Sequence, residues 1–118
     1  MQFLVGLGIM QKNKIHNHQP RIRVIACDMD GVLCKEECWN KNEVLNATPN
    51  QKNINKINEL YNYNFIVIYT ARRDHLLPAT LEWLRKHGVK FHAISNNKMA
   101  ADVYIDDKAI DNKQILKL

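Results

Sequence analysis

The sequence predicts an α/β fold built on a central, mainly parallel sheet, and three observations carry that prediction. Val24-Ile25-Ala26-Cys27, Phe65-Ile66-Val67-Ile68-Tyr69, Phe91 to Ile94 and Val103-Tyr104-Ile105 are short apolar runs without polar alternation, as strands buried on both faces are. Segments with apolar residues at helical spacing separate them, in the order strand, helix, strand, helix, strand, loop, strand. The first, second and fourth runs stop abruptly at Asp28, Thr70 and Asp106. Right-handed crossovers then bring all those carboxyl ends to one edge, where open α/β sheets bind ligands.

The 118 residues suffice for one core but not for a second, substrate-covering domain. Residues 1–20 read as an extension and linker, and 21–118 as the globular unit. The apolar start, Met1 to Met10, falls far short of the roughly 20 residues that span a bilayer. It also lacks the charged start and cleavage site of a secretory signal, so no membrane is expected. His16 and His18 in the polar linker are read as solvated. A net charge of +5 suits an anionic ligand, a phosphate ester or nucleic acid, although the lysines are scattered rather than gathered in a stripe. Cys27, Cys34 and Cys38 make an odd count without a disulfide framework, which favours a reducing, cytoplasmic location. A zinc site would need a further ligand from a distant histidine, so the plain reading is of small, partly buried thiols.

In order along the chain, β-branched residues from Arg23 build the first strand, and Gly31 gives the backbone freedom to turn away after Asp28 and Asp30. Cys34 to Ala47 shows neither period and reads as a loop or flap carrying Trp39, whose ring could stack on a base or sugar. Thr48, Pro49 and Gln51 form a capping-box start for a helix whose Ile54, Ile57, Leu60 and Tyr61 face the sheet. Asn62 to Asn64 ends it. After the second strand, Ala71-Arg72-Arg73 is a loop, one of whose arginines can clamp an anion. Asp74 caps a second helix running to His87, with Leu77, Leu81 and Leu84 inward and Gly88 closing it. Ser95 to Ala101 is a loop carrying Lys98, and Lys108 to Leu118 reads as a terminal helix or strand.

That edge therefore gathers Asp28 and Asp30, Thr70, Lys98, and Asp106 with Asp107. Four crowded carboxylates raise one another's pKa and cost stability, an objection that a hard divalent cation removes. Oxygen-only ligands point to Mg²⁺. A carboxylate on such an ion can attack phosphorus while the cation and Lys98 offset the growing negative charge.

Asp28-Met29-Asp30-Gly31-Val32, the strand ending in Thr70, Lys98, and the strand ending in Asp106-Asp107 resemble the four ordered motifs of the haloacid dehalogenase superfamily of phosphohydrolases. The resemblance spans about Arg21 to Ile110 and is nearest to small members that nearly lack a cap. It implies a three-layer Rossmann-like core without a large cap domain. By the same match Asp28 is the nucleophile that forms an aspartyl-phosphate, and Asp30 protonates the leaving oxygen and then activates water. Mg²⁺ is implied on Asp28, the Asp30 carbonyl and Asp106, with Asp107 ligating through water or orienting Lys98. Thr70, Ala71, Arg72 and Lys98 are implied to hold the substrate's phosphoryl group. With only Gly31 to Thr48 available as a cap, specificity falls to that flap, to the Arg72-Arg73 loop or to the second copy of a homodimer. The expected function is hydrolysis of a small phosphomonoester. Two alternatives stand beside it: a 3′-phosphatase on nucleic-acid ends, and a non-catalytic module that binds cation or phosphate.

Overall fold

Val24–Asp28 forms β1, the strand on which the architecture is hung. In the computed structural model, which describes residues 22–97 and 100–106, β1 pairs on one side with β2 (Phe65–Tyr69) from Val24↔Phe65 to Asp28↔Tyr69. On its other side it pairs with β4 (Val103–Ile105), from Ile25↔Val103 to Cys27↔Ile105. β2 also carries β3 (Ala93–Ser95), which gives a parallel sheet of order β3-β2-β1-β4. The α/β class and the parallel sheet are as the sequence predicts, and the described residues contain no large cap.

Three α-helices are described: α1 (Lys41–Leu45), α2 (Gln51–Leu60) and α3 (Leu77–Lys86), the last preceded by a 3₁₀ turn at Asp74–Leu76. Side chains alternate along a strand, so Ile25, Cys27, Ile66 and Ile68 share a face. Against that face pack Val44 of α1, Ile54, Ile57 and Leu60 of α2, and Trp83 and Leu84 of α3. On the opposite face Val24 and Val67 make a smaller cluster with Phe65, Ala93 and Ala101. The described residues thus supply the sheet and one helical layer of the expected three.

Trp83 is the largest fully buried side chain, and its indole N–H donates to the Ala47 carbonyl at 3.0 Å, tying α3 to the flap. Trp83→Ala opens a cavity and orphans that carbonyl, so urea unfolding should register a loss of about 3–5 kcal/mol.

Several local expectations are corrected. Part of the flap is helical: Asn40 caps α1 by accepting from the Glu43 amide at 2.9 Å, and the Glu43 carboxylate accepts from the Trp39 amide at 2.7 Å. The N-cap of α2 is Asn50, which accepts from the Asn53 amide, and not Thr48. Thr48 instead donates its amide and hydroxyl to the Glu36 carboxylate, both at 2.7 Å, because a doubly accepting carboxylate outcompetes a cap. Asp74 makes no cap hydrogen bond, and its carboxylate accepts from the Asn96 amide group. The inward face of α3 is Ala79, Thr80, Trp83 and Leu84, with Leu77 and Leu81 only half-buried. Gly88 closes the helix at φ 67°, as expected. β3 begins two residues after Phe91, since the amide and carbonyl of Ile66 pair with the His92 ring and backbone instead. Residues 1–20, including His16 and His18, and the segment Lys108 to Leu118 lie outside the described residues.

The Glu36 pair has a pH signature. The Thr48 hydroxyl and amide hold this carboxyl below its usual range. A depressed carboxylate contributes stability that is present above the unfolded value and lost as pH falls through the folded one. Acidification below about pH 4.5, the ordinary value, should therefore lower the unfolding midpoint of the wild type more than that of Glu36→Gln.

No described helix is long and apolar enough to cross a membrane.

Candidate functional site

β1 ends at Asp28, and the chain turns at once. The Met29 carbonyl accepts from the amides of Val32, Leu33 and Cys34 at 3.0–3.3 Å, and Gly31 sits at φ 83°, a conformation costly for any residue bearing Cβ. The turn is fastened to α2 by the Asn50 amide on the Leu33 carbonyl and the Asn53 side chain on the Val32 carbonyl. Asp30 is thereby fixed above the carboxyl edge of the sheet, and the Asp28 Oδ1 accepts from the Met29 amide at 2.7 Å. Because Cys27 pairs with Ile105, Asp28 and Asp106 follow in register at the ends of neighbouring strands, which run about 4.8 Å apart.

Asp28, Asp30 and Asp106 line one cavity of about 370 Å³, together with Glu37, Cys38 and Trp39 from the flap and Ala71, Arg72, Arg73, His75 and Leu76 from beyond β2. The sequence-predicted residues Asp28, Asp30, Ala71, Arg72 and Asp106 are thus brought together. Thr70 is buried and is not among the lining residues; its hydroxyl accepts from the Arg72 amide at 3.1 Å and shapes the loop that does line it. Lys98 and Asp107 lie outside the described residues.

Arg72 is the pivot of the site. Its guanidinium is buried, donating from Nη1 to the Thr80 hydroxyl at 2.9 Å and from Nη2 to the Asp30 Oδ1 at 2.5 Å and the Cys34 thiol at 3.6 Å. Nε has no hydrogen-bond partner among the described residues. Thr80 is itself anchored on the Leu76 carbonyl at 2.8 Å, so one cation joins the β1 turn to α3.

The sequence marked Arg72 for a substrate anion, but did not reveal its hold on Asp30 or the part played by Thr80. It also did not foresee that Cys34 and Cys38 would lie beside Asp30. The Cys34 thiol donates to the Asp30 Oδ1 at 3.4 Å, and Asp30, Cys34 and Cys38 bring their polar atoms within 4.8 Å of one another. Burial pushes the Cys34 thiol up to about 12, with the Asp30 charge adding to the rise and Arg72 opposing it. Burial also raises Cys38, again against Arg72, and burial followed by the Asp28 charge raises Cys27. Trp39 is 76% exposed, an aromatic face standing at the cavity wall.

The same architecture recurs in solved structures. A conserved protein from Bacteroides thetaiotaomicron superposes with a TM-score of 0.61 at 21% identity, over 75% of this chain and 78% of that one. Two structures of a Pnkp1/Rnl/Hen1 RNA repair complex superpose at a TM-score of 0.55, with 12% and 14% identity. They match 84% of this chain, which spans about a third of theirs, 31% and 34%. These likenesses show the fold. No family model and no curated protein matches the sequence.

Proposed function

We propose that the protein is a Mg²⁺-dependent phosphatase of the haloacid dehalogenase type, hydrolysing a phosphomonoester through an aspartyl-phosphate. The observation that carries this reading is the meeting of Asp28, Asp30 and Asp106 in one cavity that also holds Arg72 and Arg73. The donor set fits a hard cation: carboxylate oxygens on adjacent parallel strands, with Arg72 occupying the Asp30 side chain and leaving its backbone carbonyl for the role the resemblance gives it. Asp28, the Asp30 carbonyl and Asp106 would hold the ion, and Asp107 would support it. When bound, Mg²⁺ neutralises phosphoryl charge.

The chain's own residues do the rest. An Asp28 carboxylate oxygen attacks phosphorus, the bond to the leaving oxygen breaks, and that oxygen takes a proton from Asp30. Arg72 holds the Asp30 Oδ1, so Oδ2 is the oxygen that hands the proton over. Asp30 then removes a proton from the water that attacks the phosphoryl group, releasing phosphate and restoring Asp28. Ala71, Arg72 and Lys98 position the transferring group, and Thr70 acts through the loop that its hydroxyl shapes.

Purified protein should release phosphate from p-nitrophenyl phosphate with Mg²⁺ and stop when EDTA is added. Cation binding without turnover across sugar phosphates, nucleotides and oligonucleotide ends would leave only a binding module.

A second reading, phosphatase action on nucleic-acid ends, is favoured by the exposed Trp39 in the same cavity lining as Arg73 and by the RNA repair neighbours. Release from a 3′-phosphorylated oligonucleotide should then exceed release from sugar phosphates and weaken steeply with salt. Equal rates on both remove this reading.

A further inference from the structure

We infer that Asp30, Cys34 and Cys38 form a second metal site beside the carboxylate edge, selective for a soft divalent cation such as Zn²⁺. Their polar atoms already lie within 4.8 Å of one another, and Cys34 Sγ and Asp30 Oδ1 stand 3.4 Å apart. A tetrahedral zinc ion, with bonds near 2.0–2.3 Å, holds sulfur and oxygen ligands about 3.5 Å apart, so only the Cys38 thiol has to close in. The turn that sets this spacing is rigid: Gly31 donates to the Cys34 carbonyl at 2.8 Å, and Cys34 pairs with both Asp30 and Pro49.

A neighbouring cation balances the occupied site. Two thiolates and a carboxylate around Zn²⁺ leave one net negative charge, and the Arg72 guanidinium, within 3.6 Å of both Asp30 and Cys34, offsets it. Cys38 and Asp30 line the cavity, so an ion reaches the site from there and finds water for its fourth position. Binding forms two Zn–S bonds and one Zn–O bond and releases the two thiol protons to solvent. Mg²⁺ prefers oxygen and does not compete for sulfur. The occupied site holds the Asp30 carboxylate on the metal. Zinc therefore inhibits under saturating Mg²⁺, a consequence that rests on the phosphatase reading, whereas the binding itself does not.

The test uses the full chain, reduced, in excess Mg²⁺, titrated with Zn²⁺ against a chromophoric chelator and separately with Cd²⁺ in the ultraviolet. One equivalent of Zn²⁺ should be withheld from the chelator, and Cd²⁺ should raise a thiolate-to-metal absorption band. Cys38→Ala should weaken affinity by at least about tenfold, since even outer-shell losses cost that much, and should diminish the band. Asp30→Asn should weaken affinity but keep the band. Cys38 lies at the cavity wall, so its variant carries the test even if Cys34→Ala does not fold. Absence of the band in wild type, or Zn²⁺ affinity unchanged in Cys38→Ala, overturns the site. Binding through histidines such as His16 and His18 gives no thiolate band and counts against it. Loss of phosphatase activity in an otherwise zinc-binding protein would instead strike the catalytic reading alone.

Discussion

On the proposed mechanism, Asp28→Asn should reduce phosphate release by on the order of 10⁴-fold or more, because Asp28 is the group assigned to form the covalent intermediate. The substitution is nearly isosteric, and asparagine's Oδ1 can still accept from the Met29 amide, as Asp28 does at 2.7 Å. The fold should therefore survive, and unchanged circular dichroism with lost turnover separates chemistry from stability. Asp106→Asn should behave differently. It leaves the nucleophile in place and removes one anionic donor beside it, so the Mg²⁺ concentration for half-maximal rate should rise while some turnover persists at high metal. Full activity in Asp28→Asn refutes the aspartyl-phosphate route, and an unaltered Mg²⁺ requirement in Asp106→Asn removes Asp106 from the cation.

Arg72→Ala should damage both the fold and the site. Breaking a buried ion pair costs about 3–5 kcal/mol, because the remaining charge is left without its partner. Here Asp30 keeps 24% side-chain exposure, so solvent screening moves the expectation to about 3 kcal/mol, read as a lower urea midpoint. Arg72→Lys separates the two roles of the residue. A lysine ammonium keeps the charge but cannot span Thr80, Asp30 and Cys34 as the planar guanidinium does. Stability should fall by only about 1 kcal/mol, the worth of a lost hydrogen bond. Turnover should nonetheless drop because Asp30 is no longer aimed, and the Michaelis constant should rise because the grip on the phosphoryl group loosens. Equal losses in stability and in every kinetic constant for both variants would make Arg72 a purely structural residue.

Strand content was legible in the sequence because buried parallel strands need uninterrupted apolar residues, and Phe65–Tyr69 and Val103–Ile105 have the bounds expected of them. The convergence of Asp28 and Asp106 followed from topology alone, since parallel strands deliver their ends to one edge. Contests between polar groups were not legible. Thr48 and Glu36 lie twelve residues apart, and nothing local indicates that the threonine serves that carboxylate rather than the helix start. The inward face of α3 was misread because it is built on Trp83 and the small residues Ala79 and Thr80, which a count of leucines does not reveal. The Asp30–Cys34–Cys38 cluster needed the turn at Gly31, whose hydrogen bonds close i to i+3 and fold the spacing back on itself.

β1 lies between β2 and β4, yet β4 is the last strand described, and Asp102 just before it accepts from the Val24 amide at 2.6 Å, 78 residues away. Such sequence-distant pairing makes closure of this flank a slow event. A nascent chain that has emerged only through β3 lacks β4 and Asp106. The acidic edge is thus completed last, and on the proposed cation reading ribosome-tethered chains halted before Val103 should bind Mg²⁺ more weakly than the full chain.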